Sequence, residues 1–200
     1  MTGTKQDILQ RIPPLEELEA ILKKEKHRKK YFKTFRSTIY ILLIVAAIVI
    51  LISTLFMPVL RIYGTSMTPT LTEGEIAVAN AHASLERGDV VAFYYNNKIM
   101  IKRVIGVEGD IVNIDSEGNV EVNGERIDEP YLVDKAYGDK TTTRFPCEVP
   151  MERYFLMGDN RKVSVDSRNE NIGPVAKDQI LGKLTLIVWP LKDIKTLSAE

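Results

Sequence analysis

Apolar and polar positions fall into three regimes along the chain. Residues 37 to 60, STIYILLIVAAIVILISTLFMPVL, form a run of twenty-four positions without a charge. A bilayer's hydrocarbon core of roughly 30 Å takes about 20 residues of helix, so this run predicts a transmembrane helix with room for some tilt. The alternative of a buried helix in a soluble protein fits its length and uniform apolarity poorly. A cleavable secretory leader would have a shorter apolar stretch, roughly 7–15 residues, and a small-residue cut site. Phe56-Met57-Pro58 offers no such site. Upstream, LEELEAILKK (Leu15 to Lys24) sets Leu15, Leu18, Ile21 and Leu22 at helical spacing. That segment reads either as a short interfacial helix or as a solvated juxtamembrane arm.

Beyond Arg61 the period shortens. β-branched and aromatic runs, EIAVAN (75–80), DVVAFYY (89–95), KIMIKRVIG (98–106), DIVNID (110–115), NVEVNG (119–124), RYFLMG (153–158) and LTLIVWP (184–190), alternate with turn residues. Asn96-Asn97 and Asn123-Gly124 fall where hairpin turns needing positive φ are expected. No sustained 3.6-residue apolar period follows residue 61. The pattern predicts a mainly β, antiparallel domain over 61–200, with Lys135 to Glu152 as an irregular excursion. Phe93 and Trp189 are candidates for lipid contact.

Charge gives the layout a direction. The formal net charge is zero, yet residues 1–36 carry ten Lys/Arg against five Asp/Glu. Eight of those basic residues crowd into KKEKHRKKYFKTFR, 23–36, beside a single acid, Glu25. The positive-inside rule then predicts a cytoplasmic arm (1–36), a single-pass span (37–60) in the cell membrane and an extracytoplasmic domain (61–200). The net negative charge of the larger part argues against nucleic acid as a partner. Cys147 is the only cysteine, so no intrachain disulfide supports the fold. Lying in RFPCEVP among turn-forming residues, with no basic partner recognisable beside it, it reads as an incidental or buried thiol.

Little conventional catalytic chemistry is available. Of two histidines, His27 lies in the basic run and His82 in a turn-like NAHASLERG. A Ser-His-Asp triad would have to use His82. Paired ligands at zinc spacing are absent, as is a phosphate loop, so neither metal nor cofactor is expected. A hydroxyl nucleophile with a lysine base remains. Such a lysine must be neutral, which from a free value of about 10.4 requires desolvation. In KIMIKRVIG, strand alternation puts Lys102 between Met100 and Val104 on one face, with Ile99, Ile101, Arg103 and Ile105 on the other. A surface lysine with an apolar stem fits that context too.

Several boxes taken together are more specific. Ser66-Met67-Thr68-Pro69-Thr70-Leu71, Gly88-Asp89-Val90-Val91, Lys102-Arg103-Val104-Ile105-Gly106, and Gly158-Asp159-Asn160 running on to Ser164, Asp166, Ser167 and Arg168 resemble, in order and spacing, the boxes of bacterial type I signal peptidases. These are membrane-bound Ser/Lys endopeptidases, and the resemblance covers residues 37 to 190. The compact single-span form typical of Gram-positive bacteria is the most similar.

The resemblance implies Ser66 as nucleophile and Lys102 as general base. Ser164 would hydrogen-bond the Lys102 amine, Asp166 and Arg168 would pair to hold their loop, and Gly158 would let the backbone pass close to the site. Ile62, Met67, Leu71 and Ile101 would line shallow substrate pockets. The substrates implied are signal peptides of secreted preproteins with small residues at the −1 and −3 positions. Some relatives carry a hydroxyl two residues before the nucleophile as a second oxyanion donor; Gly64 stands there. Two other classes share parts of this pattern: a non-catalytic relative that binds secreted proteins, and a cytosolic self-cleaving repressor with the same dyad.

Overall fold

The computed structural model of the chain describes residues 15–197. The cytoplasmic arm expected over 1–36 therefore lies outside the described residues for its first fourteen positions. One helix, α1, runs from Leu15 to Phe56 without interruption. It joins the amphipathic segment, the basic run and most of the uncharged run into a single element, rather than a short interfacial helix followed by a span. It is long and apolar enough to cross a membrane. At 1.5 Å per residue its uncharged part, 37–56, measures about 30 Å. The helix stops short of Leu60 because Pro58 disfavours helical geometry at the residue before it, and Val59–Arg61 is already strand.

Every strand pairing is antiparallel. An eight-stranded sheet contains β1 (Val59–Arg61), β2 (Ile76–Asn80), β3 (Val90–Tyr95), β4 (Lys98–Gly106), β9 (Arg153–Met157), β10 (Val175–Ala176), β11 (Ile180–Trp189) and β12 (Lys195–Thr196). Its order is β1-β2-β11-β3-β4-β9-β10, with β12 added to β11. A smaller sheet is formed by β5 (Ile111–Ile114), β6 (Val120–Val122), β7 (Glu125–Arg126) and β8 (Cys147–Glu148) in the order β7-β6-β5-β8. The predicted strands recur within a few residues of their expected limits, except that β11 begins at Ile180. Asn96 and Asn97 take φ of 45° and 61° to close the β3–β4 hairpin, and Asn123 and Gly124 take 56° and 82° after β6. The excursion 135–152 contributes only β8.

The core has three apolar clusters. Ile62, Met67, Leu71, Ala77, Ala79, Leu184 and Ile187 fill the first. Ile105, Val112, Val122, Phe155 and Met157 join the two sheets in the second. Val91, Phe93, Val104 and Leu156 form the third, against which Met100 packs. Phe93 is wholly buried and is not a lipid contact, because both faces of β3 are covered from Val90 to Phe93, its own face by the third cluster; Trp189 is half exposed.

Candidate active site

Ser66 follows β1 in a tight turn. Gly64 at φ +79° redirects the chain there, and the buried side chains of Ile62 and Met67 anchor the segment on either side. The Ser66 carbonyl accepts from Asn160 N–H at 3.0 Å. Among the described residues no protein acceptor meets the Ser66 N–H.

Lys102 comes from the middle of β4. Its Nζ donates to Ser66 Oγ at 2.8 Å and to Ile101 O at 3.0 Å. The residue is 2% exposed, so the surface-lysine alternative does not hold. Burial lowers its pKa from 10.5 to about 8, against the opposing charges of Asp166 and Asp159. Desolvation dominates because neither carboxylate touches the amine.

The 158–168 loop packs behind the pair. Arg168 grips Asp166 through Nε at 2.8 Å and a terminal nitrogen at 2.9 Å, and Gly158 N–H donates to the same carboxylate at 2.9 Å. Burial opposes the ionised form of Asp166, but the hydrogen bonds and charge of Arg168 more than offset it and hold the carboxyl below its ordinary range. A Cβ on Gly158 would lie 2.2 Å from Ser164 Oγ and 2.5 Å from the Ser66 carbonyl oxygen, so only glycine fits. The bond expected from Ser164 to the Lys102 amine is not formed. Lys102 Nζ is engaged by Ser66 and Ile101, and the buried Ser164 Oγ is left without a well-formed hydrogen bond. It faces the Asp166 carboxylate, which it helps to keep ionised.

A cleft of about 670 Å³ is bordered by Ser66 and Lys102 and by Ile62, Met67 and Ile101 among others. Leu71 does not border it. It is fully buried in the first core cluster with Ile62 and Met67, the side chains on either side of the Ser66 turn. His82 sits exposed in a turn, its ring 5.0 Å from that of Phe56, and does not border the cleft either. Burial pushes the Cys147 thiol up, away from nucleophilic character.

A second buried network lies beside the pair, and none of its pairings is expected from the sequence. Arg103, next to Lys102, forms a bidentate pair with Asp159 at 2.9 and 2.8 Å. Its guanidinium carbon lies 3.8 Å from the centre of the Tyr131 ring. Thr70 hydrogen-bonds the same carboxylate. Arg161, wholly buried, pairs with Glu129, which accepts from Tyr131 Oη at 2.8 Å. Adjacency to Lys102 and Gly158 was the only available signal for Arg103 and Asp159; Glu129 and Tyr131 had none.

A family profile described as signal peptidase, peptidase S26, matches residues 35–189. The chain belongs to this signal peptidase family. It is 39% identical over 153 residues to signal peptidase IB of Staphylococcus aureus, covering 67% of this chain and 78% of that protein. Signal peptidase I U of Bacillus subtilis is 32% identical over 179 residues, 84% of this chain and 94% of the relative. A solved signal peptidase I from Enterococcus faecalis is 28% identical, covering 52% of this chain and 98% of that one at a TM-score of 0.41. Membership makes this peptidase a hydrolase of peptide bonds.

Proposed function

We propose that the chain is a membrane-tethered serine endopeptidase that removes signal peptides from exported preproteins, with Ser66 as nucleophile and Lys102 as general base. The observation that carries this reading is the 2.8 Å approach of a buried lysine amine to the Ser66 hydroxyl. The neutral amine takes the Ser66 proton as Oγ attacks the scissile carbonyl. The resulting oxyanion accepts from the uncommitted Ser66 N–H; Gly64 offers no hydroxyl as a second donor. The Lys102 ammonium then gives its proton to the leaving amine as the peptide bond breaks. Water, deprotonated by the regenerated amine, attacks the acyl carbon; as the ester bond breaks Lys102 returns the proton to Ser66 Oγ, and the cleaved segment leaves with a new C-terminal carboxylate.

Two open backbone edges favour an extended substrate. β9 covers β4 only from Arg103 onward, leaving Lys98–Lys102 uncovered on that side. Across the cleft, among the described residues, the Tyr63 backbone has no protein partner. A peptide between them would be held by main-chain hydrogen bonds, with its −1 and −3 side chains against Ile62, Met67 and Ile101. The basic run before the span favours a cytoplasmic N-terminus, which carries residues 61–200 across the membrane. The substrate's own apolar segment would then lie in the same bilayer.

Cleavage of a preprotein by the full chain in detergent tests the reading. Ser66→Ala and Lys102→Ala are expected to abolish it, and a mechanism-based acylating inhibitor is expected to add its mass at Ser66. Retained activity in either variant would overturn the assignment.

A further inference from the structure

The cleft continues well past the dyad, and its far end differs in character from its centre. Near Ser66 the lining is mostly apolar, whereas Arg61 at the end of β1 and Lys98 at the start of β4 add two cations to it. Both are exposed, and among the described residues neither pairs with a carboxylate. Arg61 is partly fixed by its guanidinium, which lies 5.7 Å from the centre of the Tyr63 ring. Among the described residues no Asp or Glu borders the cleft.

Strand geometry sets the distance from these cations to the chemistry. Lys98 precedes Lys102 by four residues in one continuous strand, and at about 3.3 Å per residue that is roughly 13 Å. Arg61 precedes Ser66 by five residues. An extended substrate with its scissile carbonyl at the dyad brings its fourth or fifth residue from that bond to the level of Arg61 and Lys98. Resting on the proposed function, those are residues before the cut. They lead back to the substrate's membrane-embedded segment, just as Val59 lies three residues past the end of α1 at Phe56.

We infer that Arg61 and Lys98 form a specificity subsite that favours an acidic side chain, and disfavours a basic one, four or five residues before the scissile bond. The charges are exposed, so the contribution is modest and sensitive to salt. It acts on the choice among substrates and not on the bond-breaking step.

The test uses the full-length protein in zwitterionic detergent and internally quenched peptides that differ only in Glu, Gln or Lys at the fourth and fifth positions before the cut. The wild type is expected to show kcat/KM about tenfold higher for the Glu than for the Lys peptide, shrinking towards unity in 0.5 M salt. Arg61→Glu with Lys98→Glu is expected to reverse the order. Because the readout is a ratio on one preparation, partial misfolding of the variant cancels. Glu placed ten residues before the cut is expected to give no preference. Equal rates for all peptides in the wild type, or an unchanged ratio in the double variant, would overturn the inference while leaving the peptidase reading intact. No cleavage of any peptide would overturn both. If the double variant instead alters cleavage of all peptides alike, and only in vesicles containing anionic lipid, the cations meet lipid headgroups and the inference fails.

Discussion

Keeping the buried Lys102 amine protonated costs folding free energy, and that cost is open to measurement. Its folded-state pKa of about 8 lies below the 10.5 of free lysine, so the unfolded chain binds the proton more tightly than the folded one. The resulting penalty is fully present below about pH 8 and disappears as pH rises to 10.5. At about 1.4 kcal/mol for each tenfold change in proton affinity, it comes to about 3 kcal/mol at neutral pH. Lys102→Met, which keeps the apolar stem, is expected to stabilise the protein by that order in denaturant melts at pH 7 while eliminating cleavage. The gain should vanish near pH 10.5. The same shift sets the activity profile: log kcat/KM should rise with unit slope below about pH 8 and level off above it. A midpoint near 6.5 that is lost on changing His82 would point to an imidazole base instead. Gly158 is equally constrained. Gly158→Ala must displace Ser164 or the Ser66 carbonyl, and an error of about 1 Å at the nucleophile is expected to lower kcat by roughly 100-fold.

At the scale of elements, the site is an assembly of a turn after β1, the middle of β4 and the loop after β9, clamped by buried ion pairs. Arg161 and Glu129 are both fully buried, so removing one partner leaves the other charge uncompensated. Glu129→Ala is expected to cost about 3–5 kcal/mol, lowering the melting temperature by roughly 10 °C for a domain of this size. Pairing it with Arg161→Met should recover most of that loss, and calorimetry of both variants checks it. These elements differ in how far the sequence disclosed them. The β3–β4 hairpin was legible because its alternation and its Asn96-Asn97 turn are local. The two-residue strands β7, β8, β10 and β12 were not, since each is strand only through a partner placed there by the fold. β11 starts four residues before the expected run, and Gly182 within that extension is no break in the strand. Instead it is where the backbone passes so close to Asn80 that a Cβ would lie 2.7 Å from its carbonyl oxygen. Ser66 and Lys102 stand out as candidates because their boxes are contiguous in sequence. The Ser164 contact was misjudged because a box gives residue identity and not the direction of a hydroxyl. Glu129-Pro130-Tyr131 escaped notice because its partners, Arg161 and Arg103, are about 30 residues away on either side.

Over the whole molecule, the short joint between α1 and the large sheet acquires a role under the proposed topology. Only Met57 and Pro58 separate the helix from β1, and the joint is bonded on both sides. Ala81 N–H donates to the Phe56 carbonyl at 3.2 Å, and Ala79 N–H to that of Pro58 at 2.9 Å. Ser66 follows Phe56 by ten residues, so the extended chain limits its hydroxyl to within about 35 Å of the helix end. On the proposed topology this restricts the nucleophile to a shell just outside the bilayer, where a signal peptide's cut site emerges. A twelve-residue Gly/Ser insertion between Met57 and Pro58 would lengthen that reach by up to about 40 Å and dilute the dyad near the membrane surface. Cleavage of a short soluble peptide needs only the cleft and should stay within about twofold of the parent chain. Cleavage of a preprotein embedded in the same vesicle should fall by roughly tenfold as the effective concentration drops. Parallel loss on both substrates would mean that the insertion had disturbed β1. An undiminished preprotein rate would mean that the tether anchors the enzyme without setting the height of its nucleophile.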